Sequence, residues 1–170
     1  MLKIFNDLCP FFKDSYSRIN VREYARIINV SPPSASKFLS NYESLGLLKK
    51  RTDKNYIFYY ANKENKEFIQ LSKAYWLNVF ENLGLLNYLE KELLNPLVIL
   101  FGSFSKAEIN NNSDIDIVIF TKVKKSLDLL AYEKKLNRKF QIFMYEDVKE
   151  VKNKELLNNF YNGFILIGGW

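Results

Sequence analysis

The stretch Val98–Phe120, VILFGSFSKAEINNNSDIDIVIF, decides the fold of the C-terminal half of the chain. Leu97-Val98-Ile99-Leu100-Phe101 is a short, wholly apolar run, the pattern of a strand buried on both faces. Gly102-Ser103 follows at once, then a helical-looking Phe104–Ile109 and the polar turn Asn110-Asn111-Asn112-Ser113. Asp114-Ile115-Asp116-Ile117-Val118-Ile119-Phe120 reads as a second strand. Residues two apart on a strand share a face, so Asp114 and Asp116 are expected to project together while Ile115 and Ile117 turn to the core. Adjacent carboxylates repel unless a cation joins them, and hard divalent cations prefer oxygen ligands. A Gly-Ser between strand and helix lets a phosphate approach backbone amides, with the Ser103 hydroxyl as a further donor. Gly102 and Ser103 are therefore candidate phosphate ligands, and Asp114 and Asp116 candidate metal ligands.

Upstream, Asn95-Pro96 breaks a helical pattern that runs through 63–94. Phe68, Leu71, Tyr75, Val79 and Leu83 recur every three or four residues, so a long amphipathic helix is expected, with a second piece after Gly84. Such a helix serves either as a linker packing on its neighbours or as the seam of a homodimer. Downstream, Lys139–Tyr145 is the next strand, and it offers Gln141 but no acid. Glu146 and Asp147 suit the cap of a following helix, where negative charge is favourable. Asp128 and Glu133 are expected to face solvent on the intervening helix. Lys149–Tyr161 reads as a last helix ended by Gly163, and Phe164–Trp170 as an apolar closing segment. Its Trp170 and glycines would pack in the core or line a pocket.

The N-terminal third has its own organisation. Leu2, Phe5, Leu8 and Phe12 follow a helical period, and Val21–Ile28 is a second short helix. In Ser31-Pro32-Pro33 the serine can cap a helix and the proline is pre-set for its first position, which starts a third helix, Pro32–Leu45, ended by Gly46. Two β-prone runs, Leu47–Arg51 and Tyr56–Tyr60, then flank the polar turn Thr52–Asn55 and predict a hairpin.

Charge follows the same division. The net charge is +6; residues 1–60 carry ten Lys and Arg against five Asp and Glu, and the remainder fifteen against fourteen. A basic excess in the N-terminal third points to a polyanionic partner. The chain has no histidine, which excludes histidine bases and histidine-ligated zinc and leaves any catalysis to carboxylates. A single cysteine, Cys9, allows no internal disulfide and suits a reducing cytoplasm. Met1–Phe12, broken by Lys3, Asp7 and Pro10, is not expected to act as a signal, and no apolar run approaches the roughly 20 residues of a membrane span.

Two resemblances sharpen these readings. The order helix, turn, helix, hairpin over residues 1–62, with VSPPSASKFLSNYESLGLLKKR at its centre, resembles the winged helix-turn-helix of prokaryotic regulators. If it binds DNA, the third helix would enter the major groove and present Ser34, Ser36, Lys37, Ser40 and Asn41. Lys49, Lys50, Arg51 and Lys54 would meet phosphates from the wing. The Gly-Ser-x10-Asp-x-Asp spacing of Gly102, Ser103, Asp114 and Asp116 is similar to the signature of the DNA polymerase β-like nucleotidyltransferase superfamily, in particular its minimal members. That resemblance implies transfer of a nucleoside monophosphate from a nucleoside triphosphate, with ATP the first choice, using Mg²⁺ or Mn²⁺. Ser103 would contact phosphate, and Asp114 and Asp116 would hold the metal. Minimal members also act as antitoxins that modify a HEPN-type toxin, which makes a protein acceptor one expectation. The chain departs from the pattern twice: Ala107 stands where the family commonly has glycine, and Gln141 where its third carboxylate would lie.

The expected fold is α+β: a winged helix-turn-helix over 1–62, a linker helix region over 63–94, and over 95–170 a small nucleotidyltransferase domain with a short mixed sheet flanked by helices. Three functions stay open: a metal-dependent transferase with a DNA-binding wing, a DNA-binding regulator whose degenerate transferase domain senses nucleotide, or a docking protein using both folds as scaffolds.

Overall fold

Among residues 2–169, which the computed structural model describes, the chain forms eight α-helices and two small sheets in a mixed α+β arrangement. It divides into two units. One runs up to Tyr75 and includes Ala107–Asn111; the other comprises Trp76–Lys106 and the residues from Asn112 on. The division falls inside a helix.

In the N-terminal unit, α1 (Lys3–Lys13) buries Phe5, Leu8, Phe11 and Phe12. Leu2, expected on that face, is 65% exposed. The helix also buries Asp7, which no periodicity foretells. A two-residue strand, β1 (Ile19–Asn20), leads directly into α2 (Val21–Ile27), where Asn20 and Glu23 form a reciprocal capping box. The turn passes through Asn29 at φ 56°, and α3 (Pro32–Ser44) starts as expected, the Ser31 side chain accepting from the Ser34 amide. Strands β2 (Leu48–Asp53) and β3 (Tyr56–Ala61) pair antiparallel across a two-residue loop, Lys54-Asn55, in which both residues have positive φ. That is the backbone twist a tight hairpin needs. β1 adds to β3, giving the order β1-β3-β2.

Helix α4 (Lys66–Asn82) contains the division between the units, and α5 (Leu85–Leu93) follows Gly84, whose φ is 74°. The C-terminal sheet has the order β6-β5-β4-β7, built from β4 (Leu97–Leu100), β5 (Ile115–Phe120), β6 (Phe140–Tyr145) and β7 (Phe164–Ile167). It is mixed: β5 and β6 run parallel, and the other neighbours antiparallel. Ile99, Phe101, Val118, Phe120 and Phe160 form its core on one side.

Three local expectations need correction. The helix after Phe101 is α6 (Gly102–Lys106), not Phe104–Ile109, because Ala107 takes a left-handed φ of 55° that stops it. Lys149–Tyr161 is not continuous: a 3₁₀ turn at Val148–Glu150 precedes α8 (Lys154–Tyr161), which Asn153 caps through the Glu155 and Leu156 amides. Glu133, on α7 (Leu130–Leu136), is not simply solvent-facing, since its carboxylate accepts from the Phe140 amide at 2.8 Å and pins the start of β6. Asp128 lies ahead of that helix and accepts from the Leu130 amide. Asp147 caps the 3₁₀ turn as anticipated. Phe164–Ile167 closes the sheet against β4, and Trp170 lies outside the described residues.

Candidate functional site

Where β4 ends, Gly102 turns the chain with φ 67° and opens α6. A side chain here is barred twice. The left-handed backbone is costly for any residue with a Cβ. A Cβ would also overlap the Asp116 carboxylate, whose carboxyl carbon would lie only 3.1 Å away. The glycine thus makes room for an acid as well as for any phosphate. Ser103, half-buried, occupies the first turn of α6, and Ser105 donates to the Gly102 carbonyl at 2.9 Å, which steadies the turn. With five residues, α6 has little dipole, so an anion here would rely on single amides and the Ser103 hydroxyl.

Asp116 lies on β5, half-buried between core residues Ile115 and Ile117. Its backbone carbonyl accepts from Phe101 at 3.0 Å and so ties the acid to the end of β4. Asp114 is exposed just before the strand begins. Burial, and then repulsion from Asp114, raise the Asp116 carboxyl above its ordinary value. Among the described residues neither carboxylate has a hydrogen-bond or ion-pair partner, although one of them is half removed from water. Protein interiors avoid that arrangement unless something else supplies positive charge.

The next strand supplies no third acid. In the parallel pairing of β5 and β6, Asp116 stands opposite Gln141, so both side chains leave the same face. Among the described residues no cluster of three Asp, Glu, His or Cys groups could hold a metal ion. The donor set is therefore two carboxylates with an amide beside them. That suits a hard divalent cation held partly by water and phosphate, which is the usual manner of magnesium. Asp114 and Asp116 would hold the ion.

Sequence reading missed Arg138. Its guanidinium donates to the Ser113 carbonyl at 2.8 Å, next to Asp114, and lies 5.4 Å from the Phe104 ring and 5.8 Å from the Trp76 ring. It clasps the entry to β5 against α6. A signal was present: Arg138 lies two residues ahead of the strand that pairs parallel with β5, so it arrives at the same end of the sheet.

Residues 85–165 match the family model described as polymerase beta, nucleotidyltransferase. The match runs from the first residue of α5 into β7 and contains Gly102, Ser103, Asp114, Asp116 and Gln141. It supports a nucleotidyltransferase-type domain over this stretch, a family that generally uses a divalent metal and a nucleoside triphosphate. It leaves the N-terminal unit unassigned. No curated protein matches the chain. Among the described residues no helix is long and apolar enough to cross a membrane.

The residues expected to touch DNA are less united than the sequence implies. On α3, Ser36, Lys37, Ser40 and Asn41 are exposed, but the Ser34 hydroxyl is shared with Ser31 at 2.9 Å in the helix cap. On the hairpin, Leu48, Tyr59 and Ala61 are buried on one face. Strand alternation puts Lys50 on that same side, where its ammonium lies 3.7 Å from Glu43 of α3. Lys49 and Arg51 emerge from the opposite face, and Lys54 sits in the loop. The basic run is split between two faces.

Proposed function

We propose that the protein is a divalent-metal-dependent nucleotidyltransferase. It transfers a nucleoside monophosphate from a nucleoside triphosphate to a nucleic-acid or protein acceptor, and its N-terminal winged helix-turn-helix contacts DNA. The observation that carries this reading is the fit of Gly102 to Asp116. A residue that can carry no side chain faces a half-buried acid that has no protein partner, one step from Ser103. Mg²⁺ or Mn²⁺ on Asp114 and Asp116 would neutralise charge on the phosphates during in-line transfer. Gly102 and Ser103 would orient those phosphates, and Arg138 would hold the Ser113–Asp114 backbone in place.

Gln141 favours a second reading. An amide cannot accept the acceptor's proton, and it stands where Asp116 would share a face with a third acid. On this reading the domain binds nucleotide without efficient transfer, and the protein is a nucleotide-responsive DNA-binding regulator. The resemblance to minimal transferases keeps a HEPN-type toxin as one candidate protein acceptor, and the helices of residues 63–94 as a candidate homodimer seam.

The deciding experiment incubates purified protein with Mg²⁺ or Mn²⁺ and each α-labelled nucleoside triphosphate, with and without DNA, RNA and cell extract. Asp114→Asn/Asp116→Asn is the control. Label reaching a macromolecule only with the native chain supports the transferase and identifies the acceptor class. Nucleotide binding with no transfer supports the regulator. Metal and nucleotide binding unchanged in the control would remove both.

A further inference from the structure

We propose that the outer face of the β2–β3 hairpin is a binding site for single-stranded nucleic acid, separate from α3 and independent of the transferase reading. Lys49 and Arg51, turned away from α3 by strand alternation, meet Arg18 and Lys63 there. With Tyr16 and Tyr60 these four cations line a cleft of about 340 Å³. Glu64 is the acid within it, paired with Lys49, and Asp53 lies 3.9 Å from Arg18 at its edge. Both ion pairs are exposed, so water already screens them and a phosphate can take over the cation.

The aromatic part of the cleft is held ready. Tyr16 is 54% exposed, yet the loop beneath it is fixed at several points. Its amide donates to the Asp14 carboxylate at 2.9 Å, Ser17 donates to the Asp14 carbonyl at 2.8 Å, and the buried Ser15 hydroxyl donates to the Ile109 carbonyl at 3.0 Å. The Lys63 ammonium sits 3.3 Å from the Tyr16 ring centroid. Lys63 covers one face of this ring, and a base would stack on what stays exposed, with the neighbouring cations reaching the phosphates, an arrangement on which single strands stack and track. A duplex offers nothing to such a ring, because each of its base faces is already stacked.

The test measures anisotropy of labelled oligothymidine and oligouridine with the full chain across a salt series, beside a duplex of the same length. Single-strand affinity should depend on the Tyr16 ring, and duplex affinity should not. The slope of log affinity against log salt should be about −3, from four phosphate contacts at ~0.7 each. Arg51→Gln/Lys63→Gln should weaken binding at least tenfold and reduce that slope by about 1.4. Tyr16→Leu should weaken it about tenfold with the slope unchanged. Ser36→Ala/Lys37→Gln on α3 should leave single-strand affinity as it is. Arg51→Gln alone, at an exposed position, should lose affinity with an unshifted melting temperature, which separates the site from folding. Unchanged single-strand affinity in the hairpin variants, equal loss of duplex affinity on Tyr16→Leu, or equal loss in the α3 variant would overturn the proposal. Competition by thymidine triphosphate at matched nucleotide concentration would overturn it too, by making a free nucleotide the occupant.

Discussion

Asp7 in the N-terminal unit and Asp116 in the C-terminal unit are both drawn out of water, and they meet opposite surroundings. Asp7 is 6% exposed on α1, and its carboxylate accepts from the Tyr42 hydroxyl at 2.7 Å while its backbone carbonyl accepts from Tyr24 at 2.7 Å. Every partner comes from the protein, and three elements are tied together as a result. Asp116 has burial without donors and a like charge as its neighbour. The first arrangement is what a buried acid needs in order to stabilise a fold. The second withholds that satisfaction and, on the proposed reading, would keep the carboxylate available for a ligand at a cost in stability.

Four variants would break or sharpen this contrast. Asp7→Ala should have the largest effect, because it strands the buried Tyr42 hydroxyl. A loss of about 3 kcal/mol is expected in chemical denaturation. A loss under about 1 kcal/mol would mean that Tyr42 finds another partner and that Asp7 resembles Asp116 after all. Tyr42→Phe, which removes one hydrogen bond and leaves the packing, should cost about 1.5 kcal/mol.

The same variant should also change the response to alkali. Burial raises Tyr24, Tyr42 and Tyr75 well above the usual tyrosine value, with Asp7 adding to the effect on the first two and the Cys9 hydrogen bond on the third. The unfolded chain loses these protons first, so their contribution is complete below about pH 10 and is lost as pH climbs beyond it. A melting series above pH 9 should show that decline, and a shallower one in Tyr42→Phe.

In the C-terminal unit, Gln141→Asp should raise Mn²⁺ affinity about tenfold in calorimetric titration, by adding a third charged oxygen beside Asp116. No gain would mean that the amide position does not face the ion. The smallest effect is expected for Asp116→Asn without metal: a gain in stability of at most about 1 kcal/mol at neutral pH. The sign follows from the raised carboxyl. Its cost is absent below the ordinary carboxylate value and grows as pH rises through the shifted one. A destabilised variant would reveal a structural role for this acid and erase its difference from Asp7.

What could be read from sequence tracks how local the cause is. Ser31-Pro32 at the start of α3, Gly46 after it and the polar loop of the hairpin act within a few residues, and each stands where it was expected. The strand that carries Asp116 was legible for the same reason, although Asp114 falls just ahead of it, and so was the position of Gln141 on the neighbouring strand. Asp7 was not, because its partner Tyr42 lies 35 residues away and an acid among apolar residues reads as the polar side of a helix. The short β1 was missed because two residues carry no periodicity. Ala107 ended α6 early because its left-handed backbone depends on surroundings that its side chain does not announce. The fit of Gly102 to Asp116 joins positions fourteen apart through a contact that only the folded sheet creates.

The Lys54-Asn55 loop sets more than the shape of the hairpin. Because the loop is two residues long and both residues are left-handed, it locks Arg51 opposite Phe58 and Lys50 opposite Tyr59. The polarity of the whole ribbon is written in that parity. A pairing register slipped by one residue would move each cation of β2 to the other side of the sheet, exchanging the electrically positive surface for the greasy one with no change in composition. The tight loop thus acts as a register lock, and in this chain it holds the setting in which Lys49 and Arg51 face away from α3.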